Sequence, residues 1–341
     1  MPSSKTRLLI ISPALAQANN GNWRTAHRWH RMLSRRHAVT IAAEWHAEPD
    51  VAAPDLLIAL HARRSAASLE AFVAAYPGRP AILVLTGTDV YRDIATDASA
   101  MRSLALATKL VLLEPEGVAR LPVAVRGKAE VIVQSAPTLA PRSPDRRWFD
   151  LVMVAYLRDE KDPETTWRAF ERVSRRDRSI RLIQVGGALD ARYDAEARAL
   201  AARNERFRWL GELSHALARQ QIRRARALVI SSVMEGGAHV LIEAITSGVP
   251  VFASAIPGNL GLLGRHYAGT FPVGDDGALA ALIERARRDP DFLLLLKRQC
   301  AERAPLFRPE RERDRLITLV DSSLSAAHAV PSTTAPAPHT P

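Results

Sequence analysis

Two glutamates, Glu235 and Glu243, stand with seven residues between them in the stretch SSVMEGGAHVLIEAITSGVPVFAS, residues 231–254. The pattern predicts a strand ending by Ile230, then a loop presenting Glu235, Gly236 and Gly237. A helix follows from near Ala238 and His239, carries Glu243, and stops at Gly248, Val249 and Pro250. Glycines let a backbone approach a ligand closely, and the free N–H groups of a helix start suit a phosphate. Carboxylates are poor partners for phosphate but good acceptors for sugar hydroxyls. The pairing therefore points to a ligand with both. A second constellation lies in AYLRDEKDPETTWRAF, residues 155–170, where Arg158 and Lys161 follow a strand and precede a helix. Two cations at the carboxyl end of a strand can neutralise a diphosphate as it departs. A solvated charged turn is the plainer alternative for that segment alone.

The first half offers a different set. Asn19, Asn20, Gly21 and Asn22 form a polar loop after the first apolar run, leading into a helix near Trp23. IALHARRSA places His61, Arg63 and Arg64 just after a strand, and LTGTDVYRDI places Thr86, Gly87, Thr88, Asp89 and Arg92 after the next. Arginines suit an anionic acceptor of phosphate type.

Short apolar runs alternating with amphipathic segments must position these groups, and that alternation predicts parallel sheets covered by helices, an α/β fold. Strands are expected at 8–12, 38–43, 56–60, 81–86, 110–113 and 129–134, with helices at 23–35, 66–76, 98–107 and 116–121. A proline- and charge-rich stretch, 135–147, reads as a linker. A second unit follows, with strands at 149–157, 180–185, 227–230, 249–253 and 269–271. Its helices are expected at 163–176, 190–204, 215–225, 238–247, 276–287, 290–303 and 310–327. The division is a first domain over 1–140, a second over 148–308, a helix over 309–327 that can pack back on the first domain, and a disordered proline-rich tail over 328–341. Two doubly wound, Rossmann-like domains facing each other make a cleft at the carboxyl ends of their strands, where ligands of such sheets bind.

The 341 residues allow two domains, and 47% apolar content is ample for two cores. Cys300 is the lone cysteine, which excludes an internal disulfide and a cysteine-based zinc cluster and fits a reducing cytoplasm. Near the N-terminus the apolar core, 8–11, is too short for a secretory signal, and no run is long enough to span a bilayer. A net charge of +11 raises nucleic acid as a partner, but only five of the 47 basic residues are lysines and the arginines are dispersed along helices. The expectation is therefore small anionic substrates, with no nucleic acid and no membrane insertion. Neither a Gly-x-Gly-x-x-Gly fingerprint, a Walker A loop nor an HExxH motif occurs.

Over residues 150–290 the glutamate pair, the Arg158–Lys161 spacing and the GVPVFAS strand resemble the retaining GT-B glycosyltransferases of family 4. The resemblance implies that Glu235 meets the donor sugar hydroxyls and Glu243 the ribose, while Arg158 and Lys161 steady the leaving diphosphate without a metal. It also implies that Gly186, Gly187 and Gly211 line the nucleotide and that Gly21 approaches the donor phosphates. One departure stands out: the family commonly has Gly-Phe-Gly after the first glutamate, where this chain has Gly236, Gly237, Ala238 and His239. The stretches PALAQANNGNWRTAHRW, IALHARRSA and GTDVYRDI are similar to one subgroup, the selenosugar synthases of selenoneine biosynthesis. That likeness implies transfer of a sugar from UDP-N-acetylglucosamine or UDP-glucose to selenophosphate, with no cofactor. His61 joins Arg158, Lys161 and Glu235 in the catalytic set. Asn19, Asn20, Asn22, Arg63, Arg64, Thr88, Asp89 and Arg92 would hold the acceptor. The alternatives are a glycosyltransferase acting on a lipid or glycan, a UDP-sugar epimerase, and a non-catalytic nucleotide-binding module.

Overall fold

The computed structural model describes residues 5–15, 21–47, 52–140, 142, 145 and 147–329. The first unit is a six-stranded parallel sheet of β1 (Arg7–Ile11), β2 (Ala38–Ala42), β3 (Leu56–Leu60), β4 (Ala81–Leu85), β5 (Lys109–Leu112) and β6 (Ala129–Val131), in the order β2-β1-β3-β4-β5-β6. Its central strands LLIAL and AILVL are buried throughout, as a sheet covered on both faces requires. Successive side chains point to opposite faces, so Leu8 and Ile10 enter one core and Leu9 and Ile11 the other.

The second unit repeats this plan with β7 (Phe149–Val154), β8 (Ile180–Val185), β9 (Phe207–Trp209), β10 (Ala227–Ile230), β11 (Val251–Ser254) and β12 (Thr270–Phe271), ordered β12-β11-β10-β7-β8-β9. Two of its elements escape sequence reading. β9 spans three residues, too few to show a period, and the helix Pro257–Leu263 holds Gly258 and Gly261, poor helix formers. In the first unit the expected helix at 116–121 is a 3₁₀ turn, Pro115–Arg120, and an unexpected π-turn occupies Asp89–Asp93.

The helix Pro309–Ala329 returns to the first unit. Leu316, Leu319 and Val320 pack with Trp29 and Leu33 of the helix Gly21–Leu33. One buried carboxylate, Glu312, fastens the crossing: it accepts from Arg28 Nε at 2.9 Å, Trp29 Nε1 at 2.8 Å and the Ser135 amide at 2.8 Å. The start of the linker, 135–139, is accordingly packed, with Ala136 N donating to Phe307 O and Leu139 N to Thr246 O. Of the tail expected over 328–341, residues 328 and 329 belong to the helix Pro309–Ala329, and 330–341 lie outside the described residues. Among the described residues no helix is long and apolar enough to cross a membrane.

Candidate functional site

β7 and β10 are neighbouring parallel strands, so the chain leaves both at the same edge. After β7, Arg158 is extended and a 3₁₀ turn, Asp159–Lys161, leads to Asp162 in a left-handed conformation (φ 42°). Asp162 caps the following helix by accepting from Thr165 N at 3.2 Å, and Pro163 takes the first helical position. After β10, Ser231 Oγ donates to the Asp162 carbonyl at 2.6 Å, and Val233 N donates to the Glu160 carbonyl at 3.0 Å. The two loops are stitched together, and the stitching delivers Lys161 Nζ to Glu235 Oε1 at 2.5 Å. Ser232 Oγ donates to the same oxygen at 2.6 Å. Arg158 lies beside them with Glu160 at 3.6 Å, and its buried Nε has no hydrogen-bond partner.

Glu235 also sits where the two units touch. A Cβ added to Gly236 would lie 2.4 Å from the Gly87 Cα, so only glycine lets these backbones meet. Arg92 Nη1 reaches Glu160 across the same gap at 3.3 Å.

Glu243 is 2% exposed at its side chain and lies deeper, on the helix His239–Ile245. His215 Nε2 contacts its Oε1, His239 Nδ1 lies 3.2 Å from that oxygen and Arg219 Nε 4.0 Å. Burial would raise its pKa, but the hydrogen bonds and charges of His215 and His239 win and hold the carboxyl well below the usual range. The ligand-capable atoms of His215, His239 and Glu243 lie within 4.8 Å of one another, a spacing that can hold a divalent ion. The Arg219 guanidinium beside them opposes a second cation. Neither the expectation of no metal nor that of a helix-start anion site anticipated this triad; its histidines come from separate segments, so no spacing announces it.

A cavity of about 790 Å³ opens next to the triad, between the helices Gly21–Leu33 and His215–Arg224, with His215, His239 and Arg219 on its wall. Lys161 and Glu235 do not line it. Tyr156 and Glu212, joined by a 2.6 Å hydrogen bond, also went unpredicted; burial and that bond push the Tyr156 hydroxyl up to about 12. The Tyr156 ring lies beside Gly187. Gly186 has a reason of its own: at φ 123°, any Cβ would fall 2.0 Å from the Ala155 carbonyl. The Gly211 carbonyl accepts from Gly186 N at 2.7 Å.

The first-half residues need correcting. Asp89 is fully buried, and its carboxylate accepts from four backbone amides, of Ala62, Thr86, Gly87 and Val90. It organises the loops and has no surface left for an acceptor. His61 adopts φ 76° and is 2% exposed. Its Nδ1 accepts from Arg64 N at 3.4 Å, so Nε2 carries the proton and donates to Thr88 Oγ1 at 3.0 Å. Burial pushes its pKa down, so the ring is neutral and spent on scaffolding. Arg63 and Arg92 share Asp93, each at 3.0 Å. Arg64 alone of this set is exposed without a side-chain partner among the described residues. Gly21 and Asn22 form the first turn of a helix rather than a loop, and Asn19 and Asn20 lie outside the described residues.

Residues 143–306 match the family of glycosyl transferases group 1. In overall shape the chain is similar to sucrose-phosphate synthase of Thermosynechococcus elongatus, with a TM-score of 0.77 at 16% identity over 94% of this chain and 100% of that one. It is also similar to HepE of Anabaena in complex with UDP-glucose, with a TM-score of 0.70 at 14% identity over 93% of this chain and 100% of the other. At these identities the likeness shows the shared fold, GT-B: two facing α/β units.

Proposed function

Because residues 143–306 form a group 1 glycosyl transferase domain, we propose that this chain transfers a sugar from a UDP-sugar, UDP-N-acetylglucosamine or UDP-glucose, to selenophosphate. The observation that carries the donor half is the meeting of Arg158, Lys161 and Glu235 at two adjacent strand ends. In the free protein Lys161 and Glu235 neutralise each other. A sugar nucleotide gives each a better partner: the diphosphate takes Lys161 and the unsatisfied Arg158 Nε, and a sugar hydroxyl donates to Glu235. As the C–O bond to UDP breaks, negative charge grows on the diphosphate against two fixed cations in a partly dry site. HepE, a structural neighbour, binds UDP-glucose, which supports the donor class.

The acceptor half rests on the likeness of 13–29, 58–66 and 87–94 to selenosugar synthases. Selenium of selenophosphate attacks the anomeric carbon as UDP leaves, and the Se–P bond is then hydrolysed by water to give a 1-selenosugar and phosphate. Selenophosphate is already anionic, so no strong base is needed, in keeping with a neutral, fully engaged His61. Arg64 is the exposed cation available to the acceptor. No metal is required for these steps, since Arg158 and Lys161 supply the positive charge.

Purified protein, UDP-sugar and selenophosphate should yield UDP and a selenosugar by mass spectrometry, with neither formed when selenophosphate is omitted. UDP release indifferent to selenophosphate would remove the selenium acceptor and favour a lipid or glycan transferase. Conversion of the donor without an acceptor would favour an epimerase.

A further inference from the structure

The cavity beside the His215–His239–Glu243 triad carries a charge pattern that the diphosphate site at Arg158 and Lys161 leaves unused. Arg24, Arg28, Arg31 and Arg35 recur at intervals of four, three and four along the helix Gly21–Leu33 and the turn after it, which is one helical face, and all four line the cavity. Arg219 faces them from the second unit and Arg313 from the returning helix. Among the described residues no carboxylate lines the same wall. The acids nearby stand outside the lining: Glu312 under Arg28, Asp314 paired with Arg313, and Glu243 under the two histidines.

Arg219 supplies an independent sign of a missing partner. Its side chain is 8% exposed, its Nη2 donates to the Pro137 carbonyl at 2.8 Å, yet its Nε has no hydrogen-bond partner and the nearest carboxylate oxygen is 4.0 Å away. A buried, half-satisfied guanidinium is costly unless an anion completes it. Arg28 Nη2 is likewise buried and unsatisfied. From Arg24 to Arg35 the stripe runs about 16 Å along the axis, longer than one phosphate group. An elongated ligand with two or more anionic groups matches both the length and the charge. The donor diphosphate is not that ligand if it sits at Arg158 and Lys161, because neither lines the cavity; in this one respect the inference rests on the proposed function.

We propose that this hinge cavity is a second anion site, taking a small oligophosphate that bridges Arg219 of one unit and the arginine stripe of the other. Inorganic oligophosphate and a bis-phosphorylated metabolite share this chemistry. Calorimetric titration of the full chain with tripolyphosphate, at about 150 mM salt so that loose surface attraction is screened, tests it. Saturable binding of one equivalent is expected. The double variant Arg31→Ala/Arg35→Ala, at exposed positions, should weaken it by about tenfold or more, and so should Arg219→Gln, in line with loss of charge-assisted contacts. Lys161→Ala should leave it within about twofold, while UDP binding shows the reverse pattern. Fructose 1,6-bisphosphate in a parallel titration separates the two sources by which binds the tighter. Non-saturable uptake, binding lost in Lys161→Ala, or displacement of tripolyphosphate by UDP would each overturn the proposal. Should the chain bind no UDP at all, the proposed function fails while the tripolyphosphate titration still reads the hinge site.

Discussion

The carboxyl ends of β7 and β10 in the second unit and those of β3 and β4 in the first are both ends of adjacent parallel strands, yet they spend their charged residues differently. In the second unit the side chains of Lys161 and Glu235 hold, among the described residues, only each other and Ser232, so an incoming ligand can exchange both partners. In the first, Asp89 is satisfied by four amides, His61 by Thr88 and a backbone amide, and Asp93 by two arginines. A ligand would gain nothing by displacing them. Position after a cleft strand is thus not enough to make a residue a binding residue; what matters is whether its hydrogen-bonding capacity is already used.

That contrast can be broken or sharpened by substitution. Lys161→Ala should lower kcat by about 10²–10³-fold, the usual cost of removing one preorganised charge-stabilising group. Steady-state UDP release, with circular dichroism to confirm folding, measures it; unchanged turnover would strip the strand-end cluster of its role. Asp89→Asn should instead cost roughly 2–4 kcal/mol of unfolding free energy, because an acceptor serving several buried amides is replaced by one that also needs acceptors. Urea unfolding reads this, and a raised acceptor KM at unaltered stability would return Asp89 to the binding site.

Glu243 lies between these cases, since it is both satisfied and inside the cleft. Its folded pKa is depressed below the ordinary 4.5, so its ionisation contributes stability above that value and loses it as pH falls toward the lower folded pKa. The stability gap between the native chain and Glu243→Gln should therefore be flat from neutral pH to 4.5 and shrink below it. A gap independent of pH would mean that the carboxylate is not held by its histidines. Smallest in effect, Arg64→Ala should raise the KM for an anionic acceptor by about two- to fivefold without changing stability, as expected of an exposed charge.

Much of the cleft was legible in the chain. The spacing of Arg158 to Lys161 and of Glu235 to Glu243 lies within single strand–loop–helix units, where covalent connectivity sets position. Strand LLIAL and helix PETTWRAFERVSRR announce themselves because burial imposes a period that local composition records. The helix Pro257–Leu263 has no such period: it exists because Gly258 allows it against the Glu235 backbone. His215 carries no local signal, since its meaning comes from a glutamate 28 residues away.

From residue order alone came the two α/β units, the edge on which their loops gather and the candidate cations and carboxylates of the second unit. Only the folded chain decided which of those groups keep unspent capacity, that Asp89 and His61 turn inward, and that six arginines from three helices and one adjoining turn meet around one cavity. The reason is physical. Periodicity and turn chemistry act over a few residues, whereas the pairing of charges depends on which strand ends and helix faces packing brings within a few ångströms.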